Sequence, residues 1–372
     1  MKVGIVVPYS WSFWGGVVDH AEQQLLALRK LGADAWLVMG NDPPGSFTHV
    51  LHPGLGRHMD PPSYVLPVGR SVIVPANGSL PNIVLSPSTA ARIKRIFERE
   101  RFDVVHVHEP MTPAIGVAAL ALTRVPTVAT FHASGKLGWM RGGKHVWGFL
   151  AERIDRRIAV SEEARATAER WLPGEYVVVP NGVIVPPQAD PANREHRVVF
   201  IGRHEARKGM HVLLRAWPEI HRRTGARLRL VGADPLAVRL LLTRERVSDQ
   251  GIDVLGVLTN EELTDELLRA KAQVASSLGG ESFGMVLTRG LACAVPVVAS
   301  DIPGYRAVLQ GEAGVLFPPG DHEALAAAVI ELLGDEETRQ RRGAAARALV
   351  QERYAWDGIA RRLLEIYEDA AA

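Results

Sequence analysis

The sequence predicts two doubly wound α/β domains. Short apolar runs alternate with amphipathic helices along the chain. A proline-rich segment, Pro186-Pro187-Gln188-Ala189-Asp190-Pro191-Ala192-Asn193, interrupts this alternation with no periodicity of its own, and the alternation then restarts. A length of 372 residues also suits two domains better than one. In the first half, residues 2–7 form an apolar run followed by Gly15-Gly16. The next helix places Ala21, Leu25 and Leu28 at i, i+4 and i+7 and stops at Gly32. Residues 35–39 read as the second strand, and 104–108 as a strand before a helix around 114–122. Strands at 127–132 and 158–160, a helix at 162–171 and a short run at 177–180 complete this half. After the linker come strands at 198–201, 228–231, 253–257, 274–277 and 297–299. The helices between them fall at 210–220, 236–246, 261–270, 282–293 and near 305–309. Three helical stretches, 323–333, 336–353 and 357–370, close the chain. Repeated apolar strand and amphipathic helix mark a parallel sheet covered on both faces. Such sheets bind ligands at the carboxyl ends of their strands, and two opposed domains are expected to enclose an interdomain cleft. The expected division is 1–185 and 186–356.

Composition excludes several classes. Lys and Arg number 43 against 41 Asp and Glu, a formal charge of +2, which argues against a general nucleic-acid binder. A hydrophobic content of 47% and a charged content of 23% exclude a largely disordered chain. No window reaches the roughly 18 uninterrupted apolar residues of a membrane span. Residues 1–8 run toward a loop instead of a cleavable signal. Cys293 is the single cysteine, so no internal disulfide exists. These features lead us to expect a cytoplasmic protein.

Motifs narrow the chemistry. No G-x-G-x-x-G follows a strand, which removes the main support for a dinucleotide-dependent oxidoreductase. No Asp-x-Asp pair exists to bridge a metal to a diphosphate. Residues 138–145 approach a P-loop but carry His145 where a magnesium-holding hydroxyl belongs. His106 and His108 share a strand face, and His132 arrives from the next strand. They are either metal ligands or hydrogen-bonding groups for a polar substrate, with Glu109 at the mouth of the expected cleft. The segment Gly279-Gly280-Glu281-Ser282-Phe283-Gly284-Met285 joins a strand to a helix, with a carboxylate at the expected helix start. Free amides in a first helical turn make an anion cradle, and Glu281 suits sugar hydroxyls. Gly202-Arg203 and Arg207-Lys208-Gly209 follow the first strand of the second half, so Arg203 and Lys208 supply a fork and a point charge suited to a diphosphate. Gly15 and Gly16 follow the first strand of the first half in the same way.

These residues, with Pro8-Tyr9-Ser10, Gly15-Gly16-Val17, His108-Glu109-Pro110, Thr130-Phe131-His132 and Pro180-Asn181-Gly182-Val183, resemble the retaining glycosyltransferases of GT-B fold. Within them the chain looks most like the phosphatidylinositol mannosyltransferases of actinobacteria. The resemblance implies a second domain that holds a nucleotide sugar, GDP-mannose, without a metal or other cofactor. Arg203 and Lys208 would face the diphosphate. Glu281 would contact the transferred sugar, helped by the amides around Gly280, Ser282, Phe283, Gly284 and Met285. Gly16, beside Gly15, would approach the diphosphate when the cleft closes, and His132 would touch the sugar near the reacting carbon. Tyr9 and Asn77, with Glu109, would seat an inositol-lipid acceptor. The C-terminal helix, 357–372, would cross back onto the first domain. Retention without a protein nucleophile implies a front-face reaction, in keeping with the lack of a glycosidase-type carboxylate pair.

Two departures stand out. The family usually carries a second glutamate eight residues after the first, where this chain has Arg289, which has no acceptor lone pair for ribose hydroxyls. Arg289 would donate to the donor instead, or mark a changed donor site. Nearby, Ala294 occupies a position often glycine in the family. The family's lipid-acceptor members also carry a basic amphipathic stretch, yet the corresponding run 78–85 has no basic residue. Arg92, Lys94, Arg95, Arg99 and Arg101 follow on the next helix, and Lys136, Trp139, Arg141, Lys144 and Trp147 lie beyond His132, as a possible contact with an anionic membrane at its inner face. A UDP-sugar transferase with a soluble acceptor, a nucleotide-sugar-binding protein with weak turnover, and a metal-dependent hydrolase built on the histidines remain the alternatives. A hydrolase predicts stoichiometric zinc and loss of activity with chelator, and a transferase neither.

Overall fold

A computed structural model of the chain describes residues 1–13, 15–45, 48, 52, 60–74, 82–134, 144–187 and 193–372, the side chains of 144–147 excepted. The chain divides into two compact units, Met1–Gly182 with Trp356–Ala372, and Val183–Ala355. The crossings fall at 182/183 and 355/356, beside the proline-rich segment and not inside it. Gly182 explains the first: a β-carbon there would lie 2.3 Å from the Trp356 indole, so only glycine lets that ring settle against the turn. Val183 donates its amide to the Tyr354 carbonyl at 2.8 Å, within the second unit.

In unit 1 the elements run β1 (Lys2–Ser10), α1 (Gly16–Lys30), β2 (Asp34–Gly40), β3 (Val65–Pro67), β4 (Ser71–Ile73), β5 (Asn82–Val84), α2 (Thr89–Glu100), β6 (Val104–His108), α3 (Ile115–Leu122), β7 (Thr127–Phe131), α4 (Lys144–Ala151), β8 (Arg156–Ala159), α5 (Glu162–Glu169) and β9 (Val177–Val178). The parallel strands order as β3-β2-β1-β6-β7-β8-β9, and the antiparallel pair β4–β5 joins β1 through Tyr9 and Ile83. β1 therefore continues through Ser10 where the sequence suggested a loop after residue 7. Its period-2 alternation sends Val3, Ile5 and Val7 to one face and Val6 to the other. The first face packs on Ala21, Leu25 and Leu28 of α1, the second on Ile93 and Ile96 of α2 and Ile115 of α3.

In unit 2 the elements are β10 (Glu195–Ile201), a 3₁₀ turn (Ala206–Lys208), α6 (Met210–Thr224), β11 (Arg227–Val231), α7 (Pro235–Glu245), β12 (Ile252–Gly256), α8 (Asn260–Leu268), β13 (Ala270–Ala275), α9 (Met285–Ala292), β14 (Val297–Ser300), α10 (Pro303–Val308), β15 (Gly314–Phe317), α11 (His322–Gly334) and α12 (Glu336–Arg353). Strand order β12-β11-β10-β13-β14-β15 is wholly parallel and reverses between β10 and β13. That reversal opens a crevice at the strand ends, the usual ligand position in such sheets. Sequence signals start helices well here. Asp234 caps α7 ahead of Pro235, and Thr259 with Glu262 forms a reciprocal capping box on α8. One start was misplaced: α9 begins at Met285, not 282, because Gly284 caps it at φ +87°. Ala294 adopts φ +56°, a left-handed conformation that costs any residue with a β-carbon and gives glycine its advantage at this position.

The last helix, α13 (Trp356–Ala371), returns to unit 1 and buries Trp356, Ile359, Leu363, Ile366 and Tyr367 against the face already holding α1. No described helix is long and apolar enough to cross a membrane.

Candidate functional site

In unit 2, polar groups converge where β10 and β13 end. The 3₁₀ turn after β10 presents Arg207 and Lys208, and the loop after β13 presents Ser277 and Glu281. Glu281 Oε1 accepts from Arg207 Nη1 and Lys208 Nζ, both at 2.7 Å, and from Ser277 Oγ at 3.3 Å. The carboxylate is shielded, with its side chain 11% exposed beside Lys208 at 15%. Backbone holds the two loops together. Leu278 donates its amide to the Arg207 carbonyl at 2.7 Å, and Ser276 Oγ donates to the Gly209 carbonyl at 2.9 Å. Behind Glu281, Ser277 Oγ and the buried Tyr305 hydroxyl share a hydrogen bond at 2.8 Å. Burial and the Glu281 charge push that hydroxyl's pKa up, so it stays protonated.

The placement of Glu281 differs from expectation, and the surrounding contacts add partners the sequence did not single out. Glu281 lies four residues before the helix and meets cations, not a helical first turn, because the glycines at 279, 280 and 284 all take positive φ and delay the helix. Arg207, not Arg203, joins Lys208 on Glu281. Arg203 is half exposed and pairs with Glu205 Oε1 at 2.8 Å, while Arg207 reaches the second Glu205 oxygen at 2.8 Å. The cluster therefore holds three cations against two carboxylates, a net positive field. Arg289 donates to Asn260 Oδ1, the first residue of α8, at 2.9 Å. Of the remaining candidates, Phe283 is buried against Tyr354, Ser282 and Met285 are half-buried, and Gly280 is exposed.

Unit 1 has its own polar centre at its strand reversal, between β1 and β6. His106 is locked within it. Its Nδ1 accepts from the Tyr367 hydroxyl at 2.6 Å and the Gln24 amide at 2.9 Å, which leaves Nε2–H to donate to Thr130 Oγ1 at 2.6 Å. His108 Nδ1 and His132 Nε2 share a hydrogen bond at 2.8 Å. His106 stacks on His108 at 4.6 Å but has both ring nitrogens engaged elsewhere, and His20 of α1 joins the pair instead, with ring centroids 5.5 Å from His108 and 5.2 Å from His132. One ring nitrogen from each of His20, His108 and His132 lies within 4.8 Å of the others, so this trio, not the expected one with His106, is the metal candidate among the described residues. Burial pushes the His20 pKa down to about 4 and that of His106 to about 3, and holds His108 and His132 well below the usual value. All four imidazoles are neutral at neutral pH.

Glu109 sits at φ +48° just past β6, and its Oε1 accepts the His132 amide at 2.8 Å. Burial pushes its carboxyl up to about 7, against the backbone hydrogen bonds from His132 and Ala133 that pull it down. It braces the His132 backbone from a partly buried position. Tyr9 is half-buried beside it, and burial with the Glu109 charge raises the Tyr9 hydroxyl. Gly15 caps α1 in extended backbone and Gly16 opens the helix with no side-chain cap, so the first-turn amides remain open to an anion. Asn77, residues 78–81, Lys136, Trp139 and Arg141, and the P-loop-like stretch up to 143 lie outside the described residues, as do the side chains of Lys144 and Trp147.

His20, Arg207, Ser277, Tyr305 and Gly209 were not assigned roles from sequence. The available signals were local: His20 lies one helical turn after Gly16, and Arg207 adjoins Lys208 in a three-residue turn.

Comparison with known proteins agrees with this layout. Residues 14–185 match the family model Glycosyltransferase Family 4, and residues 195–335 match Glycosyl transferases group 1. The phosphatidyl-myo-inositol mannosyltransferase of Mycolicibacterium smegmatis is 35% identical over 387 residues, covering 99% of this chain and 94% of its own. That of Mycobacterium leprae is 34% identical over 384 residues, covering 100% and 97%. Among solved structures, sucrose-phosphate synthase from Thermosynechococcus elongatus superposes with a TM-score of 0.73 at 20% identity, covering 99% and 98% of the two chains. Anabaena HepE in complex with UDP and glucose gives 0.73 at 20% identity, covering 98% and 99%. At that identity the structures speak for the fold, while the curated relatives speak for the family. The chain belongs to the group 1 glycosyltransferases of GT-B fold.

Proposed function

We propose that this chain transfers a mannosyl group from GDP-mannose to a hydroxyl of a phosphatidylinositol-type lipid, with retention at the sugar carbon. The observation that carries the reading is Glu281 gripped by Arg207 and Lys208 at the switch point of unit 2, in a chain related along its whole sequence to proteins named for that activity. On this reading unit 2 binds the donor. A bound diphosphate draws Arg207 and Lys208 off Glu281, and the carboxylate turns to the sugar hydroxyls. Arg203 adds charge at the diphosphate edge, and Arg289 donates to donor oxygens where relatives offer a carboxylate. The bond from the sugar carbon to the diphosphate oxygen breaks as the acceptor oxygen bonds to the same face. The acceptor's proton passes to the departing phosphate oxygen, leaving GDP and the mannoside. Cationic side chains neutralise the leaving group, so no metal takes part.

Unit 1 takes the acceptor, with Tyr9 and Asn77 seating it, and with Gly16 and His132 assigned to the diphosphate and the sugar. Glu109 acts by holding the His132 backbone. The exposed Arg92, Lys94, Arg95 and Arg99 of α2, opposite its buried Ile93 and Ile96, with Arg101 just past its end, give unit 1 a basic face for anionic lipid. Binding to anionic vesicles should fall as salt rises, and equal binding to neutral vesicles would overturn that role.

A thermal-shift panel of GDP-, UDP- and ADP-sugars tests the donor, since a ligand specific for the folded state raises the midpoint. GDP-mannose should give the largest shift, and no shift with any would overturn the reading. Glu281→Ala should reduce mannosyl transfer to phosphatidylinositol on the order of a hundredfold or more. It should bind GDP at least as tightly, because two cations lose their carboxylate partner. Weakened GDP binding would show that Glu281 serves the nucleotide and not the sugar.

A further inference from the structure

The geometry points to a three-histidine site for a zinc-class divalent cation in unit 1, formed by His20 of α1, His108 of β6 and His132 after β7. Each offers one ring nitrogen within 4.8 Å of the other two, and all three side chains are buried. Zinc bound at about 2.0–2.1 Å by tetrahedral nitrogens sets them about 3.4 Å apart. Closing from within 4.8 Å therefore needs at most about 1.4 Å of movement between any two, within reach of modest side-chain rotations.

Two buried atoms call for a partner. His20 Nδ1 and His108 Nε2 are sealed from solvent with no hydrogen bond, although buried polar atoms in folded proteins are nearly always satisfied. His106 shows the contrast on the same strand, since both its nitrogens are engaged. Three imidazole nitrogens select zinc, cobalt or nickel over magnesium or calcium, which prefer oxygen. A carboxylate for a buried dication is at hand in Asp19, buried beside His20. Rigid neighbours frame the site. Trp356 of the returning helix lies 5.0 Å from His20 between ring centroids, and the stacked His106 lies 4.6 Å from His108. A fourth coordination position stays open, for water or another small ligand.

His132 is shared with the transfer proposed above, but metal retention is read without substrate or donor, so failure of this site and failure of that reading are distinguishable. Full-length protein is stripped with chelator, dialysed against zinc and assayed for metal per chain. The wild type should retain about one zinc, and His20→Ala should weaken retention at least tenfold. His196→Ala, at an exposed histidine, should retain it. No retained zinc would overturn the site and leave the two bare nitrogens to a buried water. Zinc kept by His20→Ala would place the ion elsewhere among the 13 histidines and also overturn it. Should His20→Ala fold poorly, the cobalt-loaded wild type decides: intense visible bands of tetrahedral cobalt support the site, and the faint bands of an octahedral aquo-ion overturn it.

Discussion

A β-carbon at Gly209 would lie 1.8 Å from the Ser276 carbonyl oxygen, and the residue already sits at φ +65°. The turn carrying Lys208 and the loop carrying Glu281 touch through backbone at this point, so their ion pair depends on the missing side chain. Gly209→Ala should cost about 2–3 kcal/mol, combining left-handed strain with a backbone clash. It should also erase the donor-induced thermal shift by moving Lys208 away. A variant with wild-type melting temperature and donor response would show that the loops separate freely. Sequence made Lys208 and Glu281 legible because glycine loops after strands announce close approaches. It did not separate Arg207 from Arg203, since the direction of a side chain on a 3₁₀ turn is set by what packs behind it. His20 was hidden for a related reason. Its helix was readable, but the angle at which α1 meets β6 comes from packing around Leu25, Leu28 and the distant α13.

On the sheet edge of unit 2, charge does what apolar packing does elsewhere. Arg227 and Arg229 point the same way from β11. Arg227 Nε meets Asp253 Oδ2 of β12 at 2.8 Å, and Arg229 Nη2 meets Glu266 Oε1 of α8 at 2.9 Å. Arg197 of β10 reaches the same Glu266 at 2.9 Å. Hydrogen bonding from Arg227 holds the Asp253 carboxyl below its ordinary range. Burial raises Glu266, but Arg229 and Arg197 outweigh it and the net direction is down. Depressed folded values mean this stabilisation is complete above the unfolded value near pH 4 and is lost as pH falls through the folded values. Acid unfolding of unit 2 should therefore begin below about pH 4, and Glu266→Gln should flatten that dependence. An unchanged acid limb in the variant would show that the ladder contributes nothing. Elements of this length were legible from period and caps. β3, β4, β5 and β15 were not, because three or four residues hold too little alternation to separate strand from loop.

Across the whole molecule, the final helix follows unit 2 in sequence yet belongs to unit 1. Neither Trp356 nor Tyr367 announces this locally, since an amphipathic helix looks the same whichever sheet it covers; the expectation came from family resemblance. The contacts are substantial. Trp356, Ile359, Leu363, Ile366 and Tyr367 are each less than a tenth exposed, and burying side chains of this size contributes about 1.5–3 kcal/mol each. Their sum rivals the net stability of a typical domain. Polar contacts add direction: Lys30 Nζ lies 2.9 Å from Asp357 Oδ1, and the Tyr367 hydroxyl completes the Gln24–His106 network. Ending the chain at residue 355 should therefore destabilise unit 1 selectively. Hydrogen exchange should lose protection in α1, β1 and β6 while β10 to β15 keep theirs. Equal loss in both units would mean that they fold as one cooperative body. Retention in both would mean that unit 1 closes its sheet without the helix, leaving His20 and His106 to find other neighbours.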